Sequence, residues 1–224
     1  MKWNWWKISS IILIVYVLVA GFLGEVPRLP ILNETIRNLY FHVTMWFSMI
    51  ILYGFSLFYS IKYLRSNDLN DDDWAVEMAT SGLVLGLLGI LTGSLWARFT
   101  WGAWWVNDPK LNGAAIAMLI YFAYFILRQS FDDDRKRARL SAVYNIFAFI
   151  FMIVFIGILP RLTDSLHPGN GGNPAFSQYD LNSDMRLVFY PAVIGWAMLS
   201  YWIVTLRLRL RRMERENAWN EWND

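Results

Sequence analysis

Apolar residues run along this chain in six long stretches, residues 6–24, 41–64, 76–97, 112–128, 140–160 and 187–207, separated by short polar segments. A hydrocarbon core about 30 Å thick is crossed by a helix of about 20 mostly apolar residues, so each stretch is long enough to span. No Asp, Glu, Lys or Arg falls near the middle of any stretch. A helix satisfies its own backbone, so such segments are stable in lipid. The pattern predicts an all-α integral membrane protein with six transmembrane helices in a single domain over 1–224. The first stretch, preceded by Lys2 and Lys7, invites comparison with a signal peptide. It lacks a small-x-small cleavage site and heads a series of spans, so it is expected to stay as a helix.

Lysine and arginine are distributed unevenly over the connections, and basic short loops resist translocation. The N-terminus, the second and fourth connections and the C-terminal tail hold 14 of the 20 basic residues, the other six being Arg28, Arg37, Arg98, Lys110, Arg161 and Arg186. Both termini are therefore expected on the cytoplasmic side, with segments 25–40, 98–111 and 161–186 outside. Asp71-Asp72-Asp73 and Asp132-Asp133-Asp134 then fall in inner loops, where they are expected to be solvated and to offset nearby cations. The basic run Arg207 to Arg212 is expected to stop transfer and fix topology, with anionic lipid heads as a further partner. Gly82, Gly86, Gly89 and Gly93 stack on one side of the third helix, which allows either close packing of a neighbour or a smooth wall for a flat ligand.

Composition narrows the chemistry. The chain is 56% hydrophobic, in keeping with a membrane protein. Its net charge of +2 is spread out rather than gathered on a face of interleaved cations and aromatics, so no nucleic acid is expected as a partner. Cysteine is absent, which excludes disulfides, thiolate metal sites, CxxC redox chemistry and covalent CxxCH haem attachment. With His42 and His167 as the only histidines and no HExxH, a zinc hydrolase has too few ligands.

The connection between the third and fourth helices concentrates Trp96, Trp101, Trp104 and Trp105 within ten residues. Indoles favour the headgroup zone, so an aromatic belt accounts for scattered residues such as Trp5 and Trp6. It gives no reason for one loop to gather so many rings about Gly102. The alternative is a platform of flat apolar faces for a large flat ligand, with the glycine letting backbone approach closely. A porphyrin has that shape, and its iron takes neutral imidazole as an axial donor. His42, at the mouth of the second helix, and His167, in the last outer loop, both fall on the side of the tryptophans. Porphyrin propionates need cationic partners, for which Arg98 is nearest in sequence and Lys110, Arg37, Arg161 and Arg186 are further choices. Asn107-Asp108-Pro109 reads as a turn in which Asp108 caps the fourth helix, a role compatible with shaping the platform.

Trp101-Gly102-Ala103-Trp104-Trp105-Val106-Asn107-Asp108 resembles the WGxWWxWD signature of the Trp-rich WWD-domain superfamily, the haem-handling membrane proteins of cytochrome c maturation. Six helices, with one histidine before the signature and one after, look most like the CcmC type of the Ccm pathway. Asn107 departs from the pattern, standing where the family has another tryptophan. The resemblance implies a cytochrome c-type biogenesis protein that binds haem b non-covalently, in transit, at the outer face of the membrane. It implies His42 and His167 as axial ligands of the haem iron. Trp101, Gly102, Trp104, Trp105 and Asp108 become the platform and chaperone-facing surface, with Trp96 and Arg98 in flanking contact. It further implies delivery to a periplasmic haem chaperone of the CcmE type, association with ABC transporter subunits, and residence in the cytoplasmic (inner) membrane with the haem site on the periplasmic side. Such a protein delivers and transfers haem rather than acting as a conventional enzyme. Two alternatives stand beside it: a haem ligase (cytochrome c synthase) of the same superfamily, which usually brings more helices, and a haem-transporting membrane subunit, which needs polar groups at the midplane.

Overall fold

A computed structural model describes residues 4–168 and 181–223, the side chains of 216–223 excepted. The expected outer loop 161–186 therefore lies partly, over 169–180, outside the described residues, as does Lys2. The described chain is helical, with no strand. Its elements are α1 (Trp5–Leu23), a 3-10 helix (Asn33–Tyr40), α2 (His42–Ser66), α3 (Leu69–Trp101), α4 (Pro109–Gln129), α5 (Asp134–Met152), a π-helical segment (Ile153–Ile158), α6 (Leu159–Leu162) and α7 (Ser183–Asn223). Six of the resulting helical stretches are long and apolar enough to cross a membrane, the fifth running unbroken from Asp134 to Leu162.

Local chemistry sets the boundaries. Asp68, Asp108 and Asp133 are the N-caps of α3, α4 and α5, each accepting hydrogen bonds from backbone N–H groups that the first helical turn leaves orphaned. Pro109 occupies the first turn of α4, where its missing N–H costs nothing. Asn67 at φ 54° ends α2, and Gly102 at φ 80° ends α3 in the left-handed conformation that glycine adopts without steric cost.

The helix α3 is longer than its apolar stretch at both ends, and this overturns two expectations. Asp71, Asp72 and Asp73 lie in its first turns rather than in a solvated loop, and all three are buried, at 3%, 5% and 4% exposure. Each has its own cation: Asp71 accepts from Lys62 at 2.7 Å, Asp72 takes a two-pronged bond from Arg128, and Asp73 pairs with Arg215. Glu77, one turn on, pairs with Arg207 and Arg211. The basic tail of α7 thus ties α7 to α3. Burying a carboxylate is costly unless it is paired, which is why the acids and arginines converge here. At the other end α3 continues through Arg98 to Trp101, so the expected loop 98–111 shrinks to 102–108.

The centre of the bundle is α2 against α3. Gly82, Gly86, Gly89 and Gly93 lie beneath Tyr53, Met49, Trp46 and His42 of α2, so the bare side of α3 accepts side chains of its neighbour. Asn145 of α5 donates to Ser56 and Ser60 of α2, and Ser56 donates to the Ala75 carbonyl, joining three helices by buried hydrogen bonds. The bundle has two chemically distinct ends: one with the buried aspartates, the other with the histidines and the tryptophan loop.

Candidate functional site

His42 is the first residue of α2. The 3-10 helix before it buries Ile36, Leu39 and Tyr40 and is pinned by Asn38, which donates to the Thr92 carbonyl of α3 at 3.0 Å. That segment brings α2 against α3 with the His42 ring over Gly93, where an added Cβ would sit 2.5 Å from the ring. The His42 Nδ1 lies 2.9 Å from the Gly89 carbonyl and 3.2 Å from Thr92 Oγ1. The Thr92 hydroxyl donates to Leu88, so its oxygen is an acceptor. Facing acceptors, Nδ1 carries the proton, and Nε2 keeps a lone pair with no hydrogen-bond partner among the described residues.

His167 is held in the same chemical state by different means. The π-helical segment after α5 packs backbone to backbone on α4, where a Cβ on Gly113 would meet the Phe155 carbonyl at 2.2 Å. This contact carries the chain past Pro160 and back over the start of α4. There Asp108, 1% exposed, gathers the loop. One carboxylate oxygen accepts from the Lys110 and Leu111 N–H groups and from His167 Nδ1 at 3.0 Å; the other accepts from the Leu166 N–H at 2.7 Å and the Ser165 hydroxyl at 2.9 Å. Burial by itself would raise the Asp108 pKa, but the Leu166 and Ser165 bonds, the neighbouring imidazole and the Lys110 bond outweigh it and hold the carboxyl below its ordinary range. Burial, reinforced by the Lys110 charge, lowers His167 from 6.5 to about 4 against the opposing pull of Asp108. His167 is therefore a neutral imidazole near pH 7, protonated on Nδ1 and open at Nε2.

The two rings lie within electrostatic reach of one another, and the Lys110 charge acts on both. Trp96 stands edge-on to His42 at 5.9 Å between centroids, and Trp101 edge-on to His167 at 4.9 Å. Trp96 is fixed by donating to Thr35 Oγ1 at 3.1 Å. Trp104 and Trp105 are 59% and 41% exposed, forming the apolar rim of the loop. Trp105 donates to Asn112, and Asn112 donates to Asn107 at 2.8 Å. The residue that departs from the tryptophan signature thus braces the loop by hydrogen bonding.

Among the expected propionate partners, Arg98 donates to the Gly102 carbonyl and so closes the turn that ends α3. Arg37 donates to the Gly21 and Gly24 carbonyls at the end of α1 and pairs with Glu34. Lys110 is the cation whose field reaches both imidazoles. Sequence reasoning passed over Thr92, Ser165 and Asn112, whose roles depend on contacts 50 or more residues away or on the fold of a loop; Gly93 was visible only as one member of a stripe. Among the described residues no group of three or more His, Cys, Asp or Glu could hold a bare metal ion. What the described residues do offer is two imidazoles, each with Nδ1 facing an acceptor and each beside a half-buried indole, Trp96 or Trp101.

A family model described as heme exporter protein C matches residues 1–223. The chain is 23% identical over 224 residues to heme exporter protein C of Escherichia coli (strain K12), covering 96% of this chain and 86% of that protein. It is 24% identical over 201 residues to heme exporter protein C of Paracoccus denitrificans, covering 90% of this chain and 82% of that protein. A more local likeness, 36% over 98 residues, joins it to cytochrome c biogenesis protein CcsA of Prochlorococcus marinus, over 44% of this chain and 30% of that protein.

Proposed function

This chain belongs to the heme exporter protein C family, and on that premise we propose that it holds haem b non-covalently between His42 and His167 and delivers it to a haem chaperone of the CcmE type. Membership makes it a multi-pass membrane protein of haem handling in cytochrome c maturation. The observation that carries the finer reading is the state of the two imidazoles. Each has Nδ1 committed to an acceptor, the Gly89 carbonyl or the Asp108 carboxylate, and so offers Nε2 to a metal. Buried acceptors of this kind fix ring orientation and raise ligand basicity.

The excess of basic residues at the aspartate end supports placing that end, with both termini, in the cytoplasm. The histidines then face the periplasm across the inner membrane. Haem is cargo here: Trp101 and Trp96 border the ligand rings, Lys110 is the cation best placed for a propionate, and Trp104 and Trp105 offer exposed faces to the cargo and the receiving chaperone. ABC transporter subunits of the Ccm pathway complete the set of partners. Delivery of this kind moves a bound group between proteins and needs no conventional catalytic residue.

The deciding experiment is an optical spectrum of detergent-solubilised protein from haem-sufficient cells. Low-spin bands are expected, because bis-imidazole ligation gives low-spin iron. Ala at His42 or at His167 is expected to alter or abolish them. Unchanged spectra in both variants would refute the ligand assignment, and unimpaired chaperone loading by a Trp104→Ala/Trp105→Ala double variant would refute the role of the exposed indoles.

A further inference from the structure

The end of the bundle opposite the histidines holds a cavity of about 540 Å³ over α3, bordered by α4, α5 and α7. Arg128, Arg137 and Arg211 are among the residues that line it, together with Thr80, Gln129 and Asp132. Each arginine is oriented by an acid: Arg128 by Asp72, Arg211 by Glu77 and Asp73, Arg137 by Asp134. Arg211 commits all three guanidinium nitrogens to its acids and Arg128 both terminal ones, whereas Arg137 commits a single terminal nitrogen. An arginine has five N–H donors, and Arg137 gives one nitrogen to Asp134. Arg137 thus keeps donors for an oxyanion at a cavity that Arg128 and Arg211, held in place by their acids, also line.

The cavity does not end in solvent alone. Among the described residues α4 and α7 flank α3 without packing on each other, leaving the outer face of α3 open. Along that face, in helical register with Thr80, run Val84, Leu87, Leu88, Leu91 and Leu95, all exposed. The polar cavity thus adjoins, through Thr80, an exposed apolar face of α3. We infer that this is a site for an anionic glycerophospholipid, with its phosphate on Arg137, beside Arg128 and Arg211, and its acyl chains laid along α3. The shape matches an amphiphile: charge where the headgroups lie, and hydrocarbon for about three helical turns beyond. The bound lipid would bridge α4 and α7, which among the described residues do not otherwise meet.

The test is native mass spectrometry of the full-length protein released from detergent micelles, with phosphatidylglycerol, phosphatidylcholine or inorganic phosphate added in turn. Retained phosphatidylglycerol at least several-fold above phosphatidylcholine is expected, with no retained inorganic phosphate. Arg137→Gln is expected to lower phosphatidylglycerol retention about fivefold, the factor equivalent to about 1 kcal/mol per basic residue near an anionic surface. Arg28→Gln, which removes an exposed cation at the other end, is expected to leave it unchanged. Both variants should melt with the wild type, since Arg137 pairs with a carboxylate that is itself exposed. Equal loss in both variants, or equal retention of the two lipids, would overturn the site. Phosphate retained as well as lipid would make it a soluble-anion pocket, and retention only of a co-purified protein would make the groove a partner surface; either result refutes the lipid.

Discussion

Asp108 binds the His167 imidazole at 3.0 Å with the same carboxylate oxygen that caps α4. Capping and ligand orientation are therefore one structural act, and the last outer loop is registered on the fourth helix through a single side chain. All five groups that bind Asp108 are donors. An asparagine would turn an NH2 toward donors on one side or the other, so the nearly isosteric change is a severe one. Asp108→Asn and Asp108→Ala are both expected to weaken haem binding about 10- to 100-fold, the range for loss of a ligand's supporting acceptor. Haem titration of the purified variants checks this; an Asn variant with wild-type affinity would show that the carboxylate serves only the cap.

The lowered pKa of His167 gives a pH dependence with a definite sign. In the unfolded chain this imidazole takes a proton near 6.5, in the folded protein only near 4. Between those values the unfolded state binds more protons, so stability falls as pH drops through the window from about 6.5 to about 4 and is flat with respect to this group on either side. Melting curves of the haem-free protein and of His167→Gln at pH 7.5, 5.5 and 4.5 test it. Wild type is expected to lose on the order of a few degrees more than the variant between the first and last. Parallel profiles would mean that His167 is more accessible to water than its contacts indicate.

The parts of this molecule legible in sequence are those with a local cause. Six apolar stretches mark the helices and Asp108 the start of α4, and the tryptophan signature with its two flanking histidines points to the candidate site by residue type alone. What escaped depends on distant partners. Asp71-Asp72-Asp73 reads as a solvated loop because the cations that allow burial of Asp72 and Asp73, Arg128 and Arg215, lie more than 50 residues away. The extension of α3 to Trp101 escaped because Arg98, a charge in an apolar register, gives no sign that it will close the turn at Gly102. Gly89 and Gly93 read as packing residues. That one supplies the acceptor for His42 and the other the space for its ring follows only from the register of α2 on α3.

That register yields a third expectation. A methyl group at Gly93 would lie 2.5 Å from His42 Cε1, too close for the imidazole to keep its place. At Gly54 an added Cβ would have ordinary contact, 4.0 Å from Phe149. Gly93→Ala is therefore expected to shift or abolish the low-spin bands, whereas Gly54→Ala retains them. Both substitutions replace glycine by a better helix former in a long helix, so propensity cannot account for a difference between them. Indistinguishable spectra would show that His42 is not confined by α3.

The buried pair at the far end supplies a stability test independent of haem. Arg128 and Asp72 have side chains 8% and 7% exposed and meet through two bonds of 2.7 Å. Such a pair need not stabilise the fold relative to two apolar residues, because desolvating both charges offsets their attraction. Removing one partner is different, since it strands the other charge away from water. Asp72→Asn is accordingly expected to cost about 3–5 kcal/mol, read as a large drop in melting temperature in detergent. The double variant Asp72→Leu/Arg128→Met should recover most of that loss. Its haem bands should match the wild type, because the histidines are held at the opposite end by Gly89 and Asp108. A double variant no more stable than Asp72→Asn would mean that the charges themselves, and not merely their mutual compensation, hold α3 to α4.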